Sequence, residues 1–281
     1  MLSHKKMYLC VSTNICTMKH ILVPIGSSEN ASNTLQYAID LASQFGSRVF
    51  VFRAYKSISV TGAMFKVDEF MERETQLYLR SMVSSVETKN VDIKIAAAKG
   101  GVVESIQAIK NEFGIDLVVV GPKSNSIRDE VFLGSTSGSI VKQTDIPVLV
   151  VPEAYTFKPF KTALTAFKSG VLKRQGMLFP LTQFMEKFGT KANLLLVKTP
   201  DYKEEDLQID DELKSIENTF NITENVTIFQ GVLENFQSNN PDLLCVFRRR
   251  RGFFQKLMGK SVVLKSEFHT TIPLLVLCGR Q

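Results

Sequence analysis

Cysteine and histidine are scarce in this chain, and neither occurs in a spacing typical of a metal or catalytic site. The four cysteines form no Cys-x-x-Cys pair, and the three histidines are far apart with no His-Glu-x-x-His segment. These absences argue against a metal site and against Cys–His or His–carboxylate catalysis. Cys245 and Cys278 lie in apolar runs, which predicts buried thiols in a reducing cytoplasm.

Long apolar runs are also absent. No stretch reaches the roughly 18 apolar residues of a membrane span, so we expect no transmembrane helix and no membrane partner. A hydrophobic content of 44% with 22% charged residues is typical of a globular protein, and 281 residues suit two domains. We therefore expect a cytoplasmic protein with two cores.

A general excess of positive charge is absent too. The formal net charge is +6, and the segment Arg248 to Lys265 alone carries seven positive and no negative charges. Because the rest of the chain is balanced, nucleic-acid binding is not indicated. The four arginines Arg248 to Arg251 are interpreted as a solvated basic loop, although an anion site or a partner contact beside Phe253 and Phe254 stays open.

One segment occurs twice in the sequence. Asp116 to Val151 is echoed by Asp242 to Leu277 at a constant offset of 126 positions, which predicts two copies of one unit. A second match pairs Gly101–Gln107 with Gly231–Gln237 at an offset of 130. This second offset predicts that the later copy has lost four residues between a helix and a strand.

The first copy alternates strand and helix patterns, which is typical of βαβ units with a parallel sheet. Ser28 is the predicted N-cap of the first helix, which Gly46 ends. Five strands and three further helices follow from the apolar spacing: strands at Ile21–Val23, Arg48–Phe52, Val91–Ala96, Leu117–Val120 and Ile146–Val151; helices within Val67–Glu87, over Val102–Phe113 and up to about Gln143.

The second copy gives the same alternation. Its predicted helix between Asp201 and Glu217 is strongly acidic and is interpreted as a solvated face. Its predicted strands are Thr162–Phe167, Asn193–Val197, Val226–Phe229, Leu243–Phe247 and Ile272–Leu277. The predicted organisation is an extension at 1–18, disordered or due to an upstream start codon, a domain at 19–152, a linker at 153–160 and a second domain at 161–281.

Two loops of the first copy could hold a phosphate chain. In an open parallel sheet, ligands bind at the carboxyl ends of the strands, which places Pro24–Ser28 and Gly121–Thr136 at the site. Gly121 ends a strand, and Gly134 precedes a helix that begins with Ser135 and Thr136. Glycine lets backbone amides approach an anion, and a helix N-terminus supplies unpaired N–H groups.

The pattern Gly121-x2-Ser124-x9-Gly134-Ser135 resembles the nucleotide-loop signature of the universal stress proteins, and KHILVPIGSSENASNTLQYAIDLA resembles their first strand and helix. The resemblance covers Lys19 to Pro152 well and Lys161 to Gly279 more weakly. It implies two tandem open five-stranded parallel-sheet domains of the Rossmann-like, adenine nucleotide α-hydrolase-like class, with helices on both faces. It also implies a site for ATP or a related adenine nucleotide at Pro24, Gly26, Ser27, Gly121, Ser124, Gly134, Ser135 and Thr136.

The departures from the family pattern concern the ligand. Ser124 replaces the second glycine, and Gly26 and Lys168 stand where nucleotide-binding members carry an aspartate that contacts adenine. In the second copy Phe247 and Arg250 replace the two loop glycines, and Lys260 stands at the third aligned position. This copy is therefore predicted not to bind ATP in the manner of the family.

Three functions compete at this stage. The first is a stress-response regulator that binds a nucleotide through its N-terminal half, and the second is an interaction scaffold for an unknown protein partner. An enzyme using the loop acids Asp129 and Glu130 is a distant third, so the chain is expected not to be an enzyme. Pro147 and Pro273 favour edge positions for the last strands, which could pair the two domains in imitation of the family's dimer, with a further homodimer left open.

Overall fold

The computed structural model describes residues 17–56, 67–121, 135–172, 174–248 and 271–278. Within these ranges the chain forms ten strands and seven α-helices. In chain order they are β1 (His20–Pro24), α1 (Ala31–Phe45), β2 (Arg48–Tyr55), α2 (Val67–Ser84), β3 (Ile93–Lys99), α3 (Val102–Phe113), β4 (Leu117–Val120), α4 (Ser135–Gln143), β5 (Val148–Val150), β6 (Thr162–Phe167), α5 (Phe179–Phe188), β7 (Lys191–Lys198), α6 (Asp211–Ser215), β8 (Glu217–Glu224), α7 (Ile228–Asn239), β9 (Leu243–Phe247) and β10 (Leu274–Leu277).

All ten strands belong to one sheet, in the order β3-β2-β1-β4-β5-β10-β9-β6-β7-β8. Each half of the sheet therefore has the same strand order, read outward from the centre. Neighbouring strands are parallel except β5 and β10, which are antiparallel with Leu275 opposite Leu149. The predicted α/β class with a five-stranded parallel sheet in each half is confirmed.

The pairing of β5 with β10 confirms that the last strands join the two halves. As predicted, β5 and β10 lie at one edge of the five strands of their own halves, and these two edges pair, so that the edges of the joined sheet are β3 and β8. Pro147 and Pro273 each lie one residue before their strand, where no ladder N–H is required of them. Their carbonyl oxygens accept hydrogen bonds from the Val118 and Leu244 amides, at 2.9 and 3.0 Å.

The sheet is buried between two helical layers. On one face Leu35 and Ile39 of α1 and Phe184 of α5 pack against strand residues, and on the other Ile106 of α3 and Val232 of α7 do so. All four residues of β4 are buried, because a parallel strand covered on both faces needs a continuous apolar run.

The start of α1 differs from the prediction. The helix begins at Ala31, and Asn30 rather than Ser28 occupies the N-cap position. Ser28 instead closes the preceding turn, since its Oγ accepts from the Asn30 amide at 3.2 Å and its carbonyl from the Ala31 amide at 3.0 Å. Gly46 ends the helix in the left-handed conformation, as predicted.

The predicted strand at Val226–Phe229 is wrong. Thr227 caps α7, because its Oγ1 accepts from the Gln230 amide at 3.1 Å, and Ile228 and Val232 then follow helical spacing. The corresponding strand is β8, and the predicted acidic helix is replaced by a single 3-10 turn at Glu204–Leu207 and the five-residue α6.

The predicted loss of four residues is also wrong. Helix α7 follows α3 at the same offset of 126 as the strands after it. The second half is shorter elsewhere, because residues 199–216 replace the segment 56–92 that contains α2. The segments Gly101–Gln107 and Gly231–Gln237, whose match gave the offset of 130, are similar in sequence but not equivalent in structure. Gly101 precedes α3, whereas Gly231 lies inside α7.

The two halves share an aromatic interface on the face formed by α1 and α5. Phe45 of α1 lies 6.0 Å from Phe184 and 5.4 Å from Phe188, measured between ring centroids. Phe157 of the linker contacts Tyr37 at 5.4 Å and Phe188 at 6.0 Å. Such ring pairs stabilise the folded state by more than the burial of their apolar area alone. The linker is therefore packed against both halves.

Candidate functional site

The strand order reverses between β1 and β4 in the N-terminal half, which defines a crevice at their carboxyl ends. Pro24 is the last residue of β1, and Gly26 and Ser27 after it are exposed. Gly121 directly follows β4. Of the remaining predicted site residues, Ser135 begins α4 and Thr136 is exposed in its first turn, while Ser124 and Gly134 lie outside the described residues.

Gly121 lies between the first turns of α1 and α4. The Ser137 Oγ of α4 donates to the Gly121 carbonyl at 2.9 Å. On the other side, a Cβ at position 121 would lie 2.6 Å from Thr34 Oγ1 and 3.3 Å from Asn30 Nδ2. Glycine is thus required here by close packing, and two helix N-termini meet at this point of the crevice.

Asn30 belongs to this crevice, and sequence reasoning missed it. Its Nδ2 is buried and has no hydrogen-bond partner among the described residues. Its Oδ1 accepts from the backbone amide of Ala154 in the linker at 3.3 Å. An asparagine before a helix ordinarily indicates only a cap, so the sequence held no signal for this double role.

The Gly26 carbonyl is held by two side chains from neighbouring elements. Tyr78 Oη of α2 donates to it at 3.1 Å, and Arg53 Nη1 at the carboxyl end of β2 donates at 3.4 Å. The guanidinium carbon of Arg53 also lies 4.2 Å from the centroid of the Tyr78 ring. A positive charge therefore lies beside the position where the resemblance would place an acid.

The corresponding place in the C-terminal half is filled by its own side chains. Phe247, which occupies the position of Gly121 in the repeat, is buried with its ring edge-on to Phe167 at 6.2 Å. Lys168 forms an ion pair with Asp201, and this hydrogen bond holds the pKa of the Asp201 carboxyl well below its usual range.

The loop after β6 is closed by a further contact. A Cβ at Gly170 would lie 2.6 Å from the Gln208 carbonyl oxygen, and the Gly170 amide donates to the Asp206 carbonyl at 2.9 Å. The segment around the 3-10 turn thus covers this loop. These contacts agree with the prediction that the second copy does not bind ATP in the family manner, which itself stays a prediction.

The other candidates from the sequence fall into two groups. Cys245 and Cys278 are buried free thiols, as predicted, and burial raises the pKa of Cys278 to about 11. Of the arginine loop, the structure describes Arg248, whose Nη1 donates to the Val141 carbonyl at 3.4 Å; Arg249 to Arg251, Phe253 and Phe254, and the acids Asp129 and Glu130, lie outside the described residues.

Two kinds of feature are absent from the described part of the chain. Within it, His, Cys, Asp and Glu side chains form no group of three or more that could hold a metal ion. Nor does any helix in those ranges have the length and apolarity needed to cross a membrane.

A surface depression of about 450 Å³ lies at the opposite, amino end of β1 and β2. Two of the cations that line it are paired, since Arg48 Nε lies 2.5 Å from Asp92 Oδ2 and Lys89 Nζ lies 2.8 Å from Asp40 Oδ1.

The fold and the crevice define an α/β protein of the open parallel-sheet class, with a candidate ligand site where the strand order reverses. The sequence model of the universal stress protein family matches residues 17–152. Residues 17–152, just under half of the chain, therefore belong to the universal stress protein family.

Individual relatives agree with this assignment. Universal stress protein MJ0531 of Methanocaldococcus jannaschii is 23% identical over 138 residues, covering 47% of this chain and 81% of that protein. Universal stress protein G of Shigella flexneri is 31% identical over 86 residues, covering 31% of this chain and 60% of its own length. A crystal structure of a universal stress protein from Archaeoglobus fulgidus superposes on 94% of this chain and 97% of its own, with a TM-score of 0.66 and 18% identity, which shows a shared fold.

Proposed function

We propose that the chain is a stress-response regulatory protein that binds ATP or a related adenine nucleotide in the N-terminal crevice. The observation that carries this proposal is that the first turns of α1 and α4 meet at Gly121. Two helix N-termini at one point favour an anionic ligand such as a phosphate chain. The chain is proposed to act by binding and not as an enzyme.

The C-terminal half has a different proposed role. Phe247, Lys168 and the loop at Gly170 occupy the place equivalent to the crevice. We therefore propose one nucleotide per chain, with the second half acting as a partner domain joined through β5 and β10. This arrangement would reproduce within one chain the dimer that the family resemblance implies.

An interaction scaffold without a nucleotide is the second candidate. It is favoured by the packing of Gly121 against Thr34, which explains the glycine without any ligand. It is also favoured by Gly26, which cannot make the base contact of the family's aspartate.

Calorimetric titration of ATP, ADP and AMP into nucleotide-stripped protein separates the two candidates. We expect saturable binding with one site per chain, and we expect it to be lost in a Thr136→Asp variant. Thr136 is exposed in the first turn of α4. A carboxylate there would repel a phosphate group, but it would interact favourably with the positive end of the helix dipole, so the variant should still fold.

Gln230→Asp is the matched control. It places the same charge in the first turn of α7, at an exposed residue of the C-terminal half. Nucleotide affinity should stay unchanged in this variant. No heat with any nucleotide, and no thermal stabilisation by millimolar ATP, would reject nucleotide binding and leave the scaffold function.

A further inference from the structure

We infer that Asn30 contacts the crevice ligand through Nδ2 while it holds the linker between the halves through Oδ1, so that occupancy of the crevice is transmitted to the linker. This inference rests on the proposed nucleotide site and adds to it a ligand contact and a route of regulation. The ligand atom at Asn30 would be a hydrogen-bond acceptor, for which an oxygen of a phosphate chain is suited.

The orientation of the Asn30 amide is fixed by the linker. The Ala154 backbone N–H is a donor, and in the Asn30 side chain only Oδ1 can accept a hydrogen bond from it. Oδ1 therefore faces the linker, 3.3 Å from the Ala154 nitrogen. Nδ2 then necessarily faces the other way, toward Gly121, where it is buried without a partner among the described residues. A buried donor without an acceptor is destabilising, and an acceptor on a ligand would remove that cost.

The linker at this point has an energetically unfavourable backbone conformation. Ala154 has a positive φ of 53°, a left-handed backbone that a residue with a Cβ rarely adopts. Asn33, one turn along α1, provides the other anchor, because its Nδ2 donates to the Tyr155 carbonyl at 3.3 Å. Two asparagines at the start of α1 thus hold the turn, and one of them also faces the crevice.

The turn leads directly to the second half. Tyr155 packs against Tyr37 with their ring centroids 6.3 Å apart, and Phe157 contacts both Tyr37 and Phe188 of α5. A change in how firmly Asn30 holds Ala154 therefore acts on side chains that contact α5. The linker turn is therefore the element that couples the crevice to the second half.

The test compares three single variants with the unaltered full chain, titrated separately with ATP and with tripolyphosphate. Asn30→Asp keeps an oxygen for the Ala154 amide and is favourable at a helix start, but it replaces the donor at the crevice by an acceptor. Asn30→Ala removes the donor, together with the Oδ1 that accepts from Ala154, without adding charge. Asn33→Asp adds the same charge on the same helix turn away from Gly121 and removes the other anchor of the linker, so it tests whether a loosened linker alone lowers affinity.

We expect the dissociation constants of ATP and tripolyphosphate to rise about tenfold or more in both Asn30 variants and to stay within about twofold in Asn33→Asp. Hydrogen exchange should show that ATP slows the amides of residues 153–157 severalfold in the unaltered chain and not in Asn30→Asp.

The failures are distinguishable. ATP binding with equal affinity in the Asn30 variants, or a linker whose exchange ATP leaves unchanged, would overturn the inference and leave the proposed nucleotide site standing. A loss of affinity in Asn30→Asp that Asn30→Ala does not share would show charge repulsion alone and would likewise overturn it. Absence of any saturable binding to the unaltered chain would overturn both.

Discussion

Gly121 shows how one residue can satisfy a structural and a functional requirement at once. Sequence reasoning selected it because glycine permits close approach to an anion. The structure adds a second reason, since Thr34 Oγ1 lies 2.6 Å from the place of a Cβ. A glycine at this position is therefore not by itself evidence of a ligand.

Gly121→Ala is expected to lower the free energy of unfolding by about 1–3 kcal/mol through overpacking against Thr34. In a Thr34→Ala background the same change should cost less, because the nearest atom has been removed. Urea denaturation of the two single variants and the double variant gives the coupling energy, which we expect to be about 1 kcal/mol or more. Equal costs in both backgrounds would show that Thr34 does not impose the glycine.

Asp116 and Asp242 are residues whose equivalence the sequence predicted and whose role it did not. The Asp116 carboxylate accepts from the Lys19 and His20 amides at 2.7 and 3.1 Å, and Asp242 accepts from the two amides at the start of β6 at 2.8 and 3.0 Å. Each aspartate thus holds the first strand of its own half. Such a role depends on contacts about 80 to 97 positions apart, which no local pattern carries.

Among elements, the helices with strong apolar spacing and glycine ends were the ones that the sequence predicted well. Helices α1 and α3 end at Gly46 and Gly114, each in the left-handed conformation. The start of α7 was predicted wrongly because Val226, Ile228 and Phe229 imitate a strand, and its end lacks a glycine signal because Asn240 occupies the left-handed position. The β propensity of these residues and the absence of a terminal glycine together explain why α7 was predicted less well.

The end of α7 gives a prediction at this scale. Asn240 has φ 39° and ψ 54°, and its amide donates to the Phe236 carbonyl at 3.0 Å. Asn240→Gly should raise the free energy of unfolding by about 0.5–1 kcal/mol, because glycine adopts this backbone without a steric penalty. Asn240→Ala should lower it by about 1 kcal/mol. Thermal unfolding of the pair measures both, and stabilisation by alanine would contradict the assignment of this cap.

At the scale of the whole molecule, the sequence predicted two halves joined by their last strands, and it could not predict the aromatic interface. The rings come from α1, from the linker and from α5, and their meeting depends on the antiparallel pairing of β5 with β10. The sequence likewise gave no reason to connect Asn30 with the linker. Both features follow from how the halves pack, which residue spacing does not encode.

This packing makes the two halves interdependent. The β5–β10 ladder aligns only three residue pairs, so the aromatic contacts contribute much of what holds the halves together. Tyr37, at the centre of these contacts, is 1% exposed, and burial raises the pKa of its hydroxyl. We therefore expect the unaltered chain to unfold in one cooperative transition.

Phe45→Ala tests this coupling, because Phe45 is the residue of α1 whose ring contacts Phe184 and Phe188 across the interface. We expect the free energy of unfolding to fall by about 2–3 kcal/mol, since Phe45 is only partly buried, and we expect the unfolding transition to separate into two.

The matched control is Phe113→Ala, because that ring is 42% exposed and contacts Phe50 of its own half at 5.0 Å. The chain contains no tryptophan, and five of its six tyrosines lie at or before Tyr155, so tyrosine fluorescence reports mainly the N-terminal half and the linker. Far-ultraviolet circular dichroism reports the helices of both halves. The two probes should coincide in the unaltered chain and in Phe113→Ala and diverge in Phe45→Ala; coincident curves in all three would mean that the ladder alone couples the halves.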